Sequence, residues 1–284
     1  MAGQESGGVR SGPLHGVTVL ELGSFIAGPF AGQLLGDYGA DVVKVEPPAG
    51  DPLRATAPSW YDALHRDITI ERIDLKTTAG AQQLETLLAT ADVLLTSSRP
   101  SALERLGLGP QAVSKRFPQL VYIAIVGELP PNEERAGHDL TYVAQLGLLD
   151  PPKMPRTLTA DLAGAERAVS ATLALLFARA RGAGGAHAFV SLREAAETFA
   201  LPLEHGMTAN GGNLAGAFPG YRTYQTTDGW IAIAALEPHF WQRMRDLLGN
   251  GRADADFAAA FAAHDGAHWT AWAAEHDMPL IPFT

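Results

Sequence analysis

The chain has 284 residues, of which 46% are apolar and 18% are charged, and its formal net charge is −10. This composition is typical of a soluble globular protein, and the acidic balance argues against broad binding to nucleic acid or to an anionic membrane. The absence of cysteine excludes disulfides, thiolate catalysis and cysteine-ligated metal centres. No apolar run is long enough for a membrane span, so we expect a cytoplasmic protein.

Residues 16–54 read GVTVLELGSFIAGPFAGQLLGDYGADVVKVEPPAGDPLR and predict a strand–helix–strand unit. Ala27-Gly28-Pro29 opens the helix, with proline at its first position, and Gly39 ends it. The second strand is almost continuously apolar, which is typical of a parallel sheet covered on both faces. Because ligands bind beyond the carboxyl ends of such strands, we expect a ligand at 24–29 and 46–54.

The chain beyond this unit continues the alternation of strands and helices. Strands are predicted at 93–95 and 121–126, and helices at 80–89, 139–149, 162–181 and 190–203. Residues 206–220 are rich in glycine, and Asp228-Gly229 predicts a hairpin that pairs 221–225 with 230–234. A further helix is predicted at 239–248, before an alanine-rich helical stretch.

We therefore predict an α/β fold, with a Rossmann-like large domain built on a mainly parallel sheet and a smaller α+β domain. The expected boundaries are a flexible tail at 1–12, the large domain at 13–205 and the small domain at 206–284.

The order of residues in 16–54 is itself distinctive. The pattern L-x-x-G-P-x-A-x-x-L-x-x-x-G-A-D-V-x-K-V-E-P-P-x-G-D-P-x-R closely resembles the N-terminal signature of the family III CoA-transferases (CaiB/BaiF) and of their relatives, the α-methylacyl-CoA racemases. The resemblance implies that coenzyme A lies against Phe25, Ile26, Ala27, Gly28 and Pro29. It implies no metal and no cofactor beyond the CoA moiety of the substrate.

Arginines downstream of the signature match a family segment that approaches the nucleotide. SSRPSALERLGLGP is similar to F-R-P-G-x-x-x-R-L-G, so the CoA-binding candidates include Ser97, Arg99 and Arg105. Arginine pairs well with phosphate because its donors form a planar fork. Arg105 equally fits a solvated helix face, and Arg54 either touches CoA or clamps its loop against Asp51.

Asp161 is the first candidate for chemistry. On position alone it fits a helix N-cap. The layout of PRTLTADLAGAERAVSATLALLFARARGAGGAHAFVSL resembles the family segment that carries the catalytic aspartate. In the transferases this aspartate attacks an acyl-CoA thioester, giving an anhydride and then an aspartyl-CoA thioester. In the racemases it exchanges a proton with the carbon beside the thioester carbonyl.

His138 distinguishes these two reactions. AGHDLTYVAQLG resembles the racemase segment A-G-H-D-x-x-Y-x-x-x-x-G, whose histidine is the second acid/base, although a lone histidine also fits a helix start. A histidine opposite a carboxylate supplies one base on each face of a planar enolate. We expect main-chain N–H groups beside Asp161 to serve as donors to the enolate oxygen.

Glu237 is the third candidate, in ALEPHFW. It fits a helix-start acid before Pro238. Racemases carry a similar A-x-E-P-x-F segment after the hairpin, which implies a group that orients or tunes the histidine–aspartate pair.

Several segments depart from the family pattern. YDALHRDITIERIDLK is a shortened and changed form of an asparagine-, arginine- and lysine-rich strand entry, although its Asp74-Leu75-Lys76 matches the family. GELPPNEERAG replaces a glycine-rich turn. In the family a C-terminal return segment helps to interlock two subunits, and we expect the small domain, which ends at PLIPFT, to lack this segment. We expect a homodimer because apolar helices need partners, and leave interlocking open.

The leading prediction is an acyl-CoA racemase or epimerase that acts on a 2-methyl or otherwise α-branched acyl-CoA. The alternatives are a family III CoA-transferase with Asp161 as nucleophile, and a CoA-binding homologue with weakened catalysis.

Overall fold

The computed structural model describes residues 11–253 and 255–284, and these residues form two compact units that divide between Phe199 and Ala200. The first ten residues of the predicted tail lie outside the described part of the chain. The division falls inside a helix, a few residues before the boundary predicted after residue 205.

The first unit is a doubly wound α/β fold. Its elements in chain order are β1 (Thr18–Leu22), α1 (Ala27–Asp37), β2 (Asp41–Glu46), α2 (Leu53–Thr56), α3 (Pro58–Leu64), β3 (Thr69–Arg72), α4 (Thr78–Thr90), β4 (Val93–Thr96), α5 (Pro100–Arg105), α6 (Pro110–Arg116), β5 (Val121–Val126), α7 (Asp139–Gln145), α8 (Thr159–Ala180), β6 (His187–Ser191) and α9 (Leu192–Glu204), the last of which continues into the second unit.

The strands of this unit form a six-stranded parallel sheet in the order β3-β2-β1-β4-β5-β6. This order is that of a Rossmann-like sheet, which confirms the predicted fold class. The strand order reverses between β1 and β4, and a crevice forms beyond the carboxyl ends of the strands at such a point.

Helices cover both faces of the parallel sheet. All six residues of β5 are buried, as expected of a central parallel strand. One face packs against Leu35 of α1 and Ala168 of α8, and the other packs against Leu84 and Leu88 of α4. Buried Ala165 lets α8 approach the sheet closely, and buried Gly164 leaves room for the side chain of Leu192 at the start of α9.

Several predicted helix boundaries are wrong. The helix predicted to start at Val190 begins at Leu192, because Val190 pairs with Ile125 in β6, which the sequence analysis missed. The helix predicted at 162–181 begins at Thr159. The helix predicted at 139–149 ends at Gln145, and Gly147 beyond it takes a left-handed backbone with φ of +70°.

Pro29 does not occupy the predicted first position of α1. Pro29 is the third residue of α1, not the first. The predicted end of the same helix is confirmed, because Gly39 follows the C-cap with a φ of +97°, which favours glycine.

The second unit holds a three-stranded antiparallel sheet in the order β7-β8-β9, with helices packed on it. Its elements are β7 (Tyr221–Gln225), β8 (Trp230–Ala234), α10 (Pro238–Leu248), α11 (Phe257–Phe261), α12 (Gly266–His276) and β9 (Leu280–Phe283). The hairpin of β7 and β8 has the predicted bounds. Its core includes Ile231, Phe261 and Trp269.

Among residues 11–253 and 255–284, no helix combines the length and the apolar composition that a membrane span requires.

Candidate active site

A buried ion cluster lies at the carboxyl edge of the parallel sheet. The ammonium of Lys44, in the second half of β2, is 3.1 Å from Glu21 Oε2, 3.1 Å from Asp51 Oδ2 and 3.0 Å from the Gly23 carbonyl oxygen. Lys44 is fully buried, and both carboxylates are nearly so. A buried charge needs close partners of opposite sign. Lys44 therefore joins the end of β1 to the loop that follows β2.

Asp51 also bonds to the backbone of the segment between β1 and α1. Its Oδ1 accepts hydrogen bonds from the N–H of Phe25 at 3.1 Å and from that of Leu53 at 2.9 Å. Phe25 has a φ of +64°, which is uncommon for a residue with a side chain. The hydrogen bond that the Phe25 N–H donates to Asp51 holds this strained residue, which is 46% exposed.

Arg54 contacts Tyr61 and not Asp51, which was one of its two predicted partners. Its guanidinium lies over the ring of Tyr61, 5.5 Å from the ring centre. Asp51 pairs with Lys44 instead. The structure therefore does not support the clamp on Asp51 as the role of Arg54.

Glu46, Asp51 and His65 form a group whose ligand-type atoms lie within 4.8 Å of one another. The Tyr61 hydroxyl donates to Glu46 at 2.7 Å, and His65 Nδ1 lies 2.6 Å from the Tyr61 carbonyl oxygen. The Lys44 ammonium beside Asp51 already supplies a positive charge to this cluster. We therefore interpret the group as part of the ion cluster and derive no metal chemistry from it.

A cavity of about 710 Å³ opens beside this cluster. Its walls come from the ends of β1 and β2, the loop after each, the segment after β3 and helix α5. Two exposed cations, Lys76 and Arg105, lie among its lining residues. Lys76 was not among the predicted site residues, although Asp74-Leu75-Lys76 had been noted as the part of its segment that matches the family. The walls are otherwise largely apolar, with Leu22, Val45, Ile73, Leu103 and Leu106.

A second cavity, of about 400 Å³, lies next to the first. Ser24 and Ser98 line both cavities, so the two share a rim. The second cavity contains the predicted acid/base pair together with predicted CoA-binding residues, namely His138, Asp161, Phe25, Ile26, Ala27, Ser97 and Arg99. Residues that are far apart in sequence thus meet at one site.

Asp161 is the third residue of α8 and lies partly buried in the second cavity. Burial is the main cause that raises the pKa of its carboxyl to about 6, and the nearby Asp139 carboxylate raises it further, whereas His138 opposes the rise. An acid with a pKa close to neutrality can both take up and release a proton under physiological conditions.

The main-chain N–H groups beside Asp161 are already bonded. Asp139 Oδ1 accepts from the N–H of Ala160 at 2.6 Å and from that of Asp161 at 3.1 Å. The sequence analysis expected main-chain N–H groups beside Asp161 to serve as donors to an enolate oxygen. The structure does not support that role for these two groups, because the Asp139 carboxylate already accepts from both of them.

Other predicted residues lie apart from the lining of these cavities. Gly28 and Pro29 are buried in α1 and line neither one, and Arg54 also lies outside both linings. Arg99 lines the smaller cavity and Arg105 the larger, although both were predicted to approach a nucleotide. Glu237 is exposed at the N-cap of α10 in the second unit.

A Rossmann-like sheet with two adjoining cavities at its carboxyl edge defines a ligand-binding α/β protein. The family model described as CoA-transferase family III matches residues 14–282. The chain is 32% identical over 254 residues to the α-methylacyl-CoA racemase of Mus musculus, and the match covers 83% of the chain and 65% of the racemase.

A second relative has a different activity in its name. The chain is 31% identical over 276 residues to the succinyl-CoA–D-citramalate CoA-transferase of Chloroflexus aurantiacus, with 89% of the chain and 68% of the transferase covered. A solved structure of a hypothetical protein from Mycobacterium tuberculosis is also similar. It has a TM-score of 0.82 and 28% identity, over 96% of this chain and 86% of that one.

The chain belongs to CoA-transferase family III, a family of enzymes whose relatives named here include a racemase and a CoA-transferase. It spans about two thirds of the length of these two curated relatives. Both a racemase and a CoA-transferase therefore occur among its relatives.

The raised pKa of Asp161 can be measured directly. In a carboxyl ¹³C NMR titration, assigned by comparison with Asp161→Asn, we expect a midpoint near 6. His138→Gln should raise this midpoint, because the histidine favours the ionised carboxylate. A midpoint near the ordinary 3.8, or no response to His138→Gln, would contradict the described environment.

The buried Glu21 predicts a pH dependence of stability. Burial is the main cause that raises the pKa of Glu21 from 4.5 to about 7, against the opposing effect of Lys44. Between these values the folded chain holds a proton that the unfolded chain has lost, so the free energy of unfolding should fall as pH rises. Glu21→Gln should remove this part of the pH dependence of the free energy of unfolding, as measured by urea unfolding at several pH values. Glu275→Gln, at an exposed site, should keep it; equal slopes in the wild type and Glu21→Gln would refute the assignment.

Proposed function

We propose that this protein is an acyl-CoA racemase or epimerase, which moves the α-proton of a 2-methyl or otherwise α-branched acyl-CoA. The observation that carries the proposal is that His138 and Asp161 line the same cavity, although 22 residues, including the whole of α7, separate them in the chain. A 1,1-proton transfer needs two acid/base groups, one at each face of the reacting carbon.

The reaction balances with these two groups alone. One of them takes the α-proton, and the C–H electron pair moves into the thioester carbonyl to give an enolate. The other group, already protonated, then delivers its proton to the opposite face of the same carbon. The two residues end with their protonation states exchanged. A pKa of about 6 suits Asp161 to either half of this cycle.

The larger cavity supports the placement of coenzyme A. It offers Lys76 and Arg105 to the phosphates and apolar walls to the adenine and the pantetheine arm. The shared rim at Ser24 and Ser98 leads from there to the smaller cavity. An acyl-CoA that lies across this rim would carry its thioester to His138 and Asp161. Glu237 stays a proposed tuning group for this pair.

A homodimer is part of the proposal. Leu173 and Phe177 on α8 and Phe199 on α9 are exposed apolar side chains, 37%, 64% and 58% accessible respectively. Burial of such residues against a second copy is favourable. A cytoplasmic location and independence from any cofactor beyond the CoA moiety complete the proposal.

Isotope exchange tests the proton transfer. In deuterium oxide the wild-type protein should introduce deuterium at the α-carbon of a 2-methylacyl-CoA, as measured by mass spectrometry. His138→Ala should slow the exchange by about 10² to 10⁴, which is the usual contribution of a general acid/base. His15→Ala, an exposed histidine of the first unit that lines neither cavity, is the control and should exchange normally.

Hydroxylamine trapping, combined with the deuterium exchange, separates the racemase from the CoA-transferase. A transferase would form an aspartyl-CoA thioester at Asp161 that hydroxylamine traps, and it would tolerate changes at His138. Such an adduct, together with no α-deuterium across a panel of branched acyl-CoAs, would replace the racemase proposal. CoA binding without either reaction would indicate a homologue with weakened catalysis.

Arg105 tests the placement of coenzyme A. Arg105→Ala should raise KM for an acyl-CoA by about tenfold and leave kcat nearly unchanged, because a phosphate contact binds ground state and transition state alike. Arg181→Ala removes an exposed arginine at the far end of α8 and should leave both constants unchanged. A change in kcat alone, or no change in KM, would contradict the placement.

A further inference from the structure

We propose that Asp139 is a positioning residue, which holds the segment that carries His138 and the helix that carries Asp161 in one fixed arrangement. This inference rests on the proposed function, because it concerns the relative placement of the two acid/base groups. It assigns a role to a residue that the sequence analysis did not select.

The first observation is the missing cap of α8. A helix begins with N–H groups that have no partner within the helix, and an N-cap side chain usually accepts from the second or third of them. The N-cap of α8 is Leu158, whose apolar side chain cannot accept a hydrogen bond. Asp139 Oδ1 takes this place from another helix, since it accepts from Ala160 and Asp161, which are the second and third residues of α8.

The second observation is the position of Asp139 in its own helix. Asp139 is the first residue of α7, and His138 is the N-cap directly before it. The Thr141 hydroxyl accepts from the His138 N–H at 3.0 Å and lies 2.8 Å from the His138 carbonyl oxygen. The backbone of His138 is therefore held at the start of α7, one residue from the carboxylate that caps α8.

Packing reinforces this link between the two helices. Asp139 is only 4% exposed, and the neighbouring Tyr142 and Val143 form a buried cluster with Ala160 of α8. A displacement of α7 would therefore disturb both the cap and this cluster. The arrangement gives His138 and Asp161 a common reference point, as the transfer of a proton to and from one carbon requires.

Electrostatics give Asp139 a second effect on Asp161. The positive end of α8 favours the ionised carboxylate of Asp161, whereas the negative charge of Asp139 disfavours it. Several other charged or titratable groups line the same cavity: His138 and Tyr142 from the α7 segment, Glu133 and Arg135 from the loop before it, and Arg99 at the start of α5. Asp139 differs from these in its direct bond to the Asp161 N–H.

Two substitutions separate the geometric role from the electrostatic one. Asp139→Asn keeps an oxygen that can accept from Ala160 and Asp161 but removes the charge. Asp139→Ala removes both. Thr77→Ala is the matched control, because it removes the side-chain cap of α4, where the Thr77 hydroxyl accepts from the Gly80 N–H, and Thr77 lines neither cavity.

The measurements are α-deuterium exchange against pH and the carboxyl ¹³C titration of Asp161. We expect Asp139→Asn to stay folded, to keep its maximal exchange rate within about tenfold of the wild type, and to move the Asp161 midpoint and the acid limb of the exchange profile to lower pH. Asp139→Ala should lose about 100-fold in kcat with little change in KM, as expected of misplaced groups. Thr77→Ala should lower the melting temperature and leave the midpoint and kcat unchanged.

Two results would overturn the inference: an Asp161 midpoint that is unchanged in Asp139→Asn, or a kcat of Asp139→Ala within about twofold of the wild type once the fraction folded is taken into account. If the wild-type protein shows no exchange, the racemase proposal fails, and the titrations of Asp161 in the wild type and Asp139→Asn still decide whether Asp139 acts on it.

Discussion

The burial of one ammonium group between two carboxylates organises the binding edge of the first unit. Lys44 lies in the second half of β2 and contacts Glu21 of β1, the Gly23 carbonyl and Asp51 of the loop after β2. Without close partners each of these charges would be too costly to bury, so the three segments must stay together. The strained Phe25 and the rim of both cavities follow from this constraint, because Asp51 also bonds to the Phe25 N–H.

A second carboxylate has a comparable function at the other side of the smaller cavity. Asp139 supplies the N-terminal cap of α8 that Leu158 cannot provide, and it directly follows His138 in the chain. Both walls of the cavity are thus fixed by acidic side chains that bond to the backbone of another segment. The side chains that face the cavity, such as Phe25, His138 and Asp161, are left to contact a ligand.

Local patterns predicted the elements whose signals lie within their own sequence. The strand–helix–strand unit from Gly16 and the hairpin around Asp228-Gly229 formed as expected, because glycine punctuation and apolar runs are local properties. β6 was missed, because its place depends on pairing with β5. The residues beside Asp161 were recognised through family resemblance. The engagement of their N–H groups by Asp139 was not, because a hydrogen bond between two helices leaves no periodic trace in the sequence.

Under the proposed function, the rim shared by the two cavities separates the binding of coenzyme A from the binding of the acyl group. Ser24 and Ser98 stand between a cavity with Lys76 and Arg105 and a cavity with His138 and Asp161. In a protein built in this way, the residues around the reacting carbon can diverge while the residues that bind coenzyme A in the larger cavity are retained. A family of this kind can acquire new acyl substrates, and even exchange one reaction for another, without rebuilding its sheet.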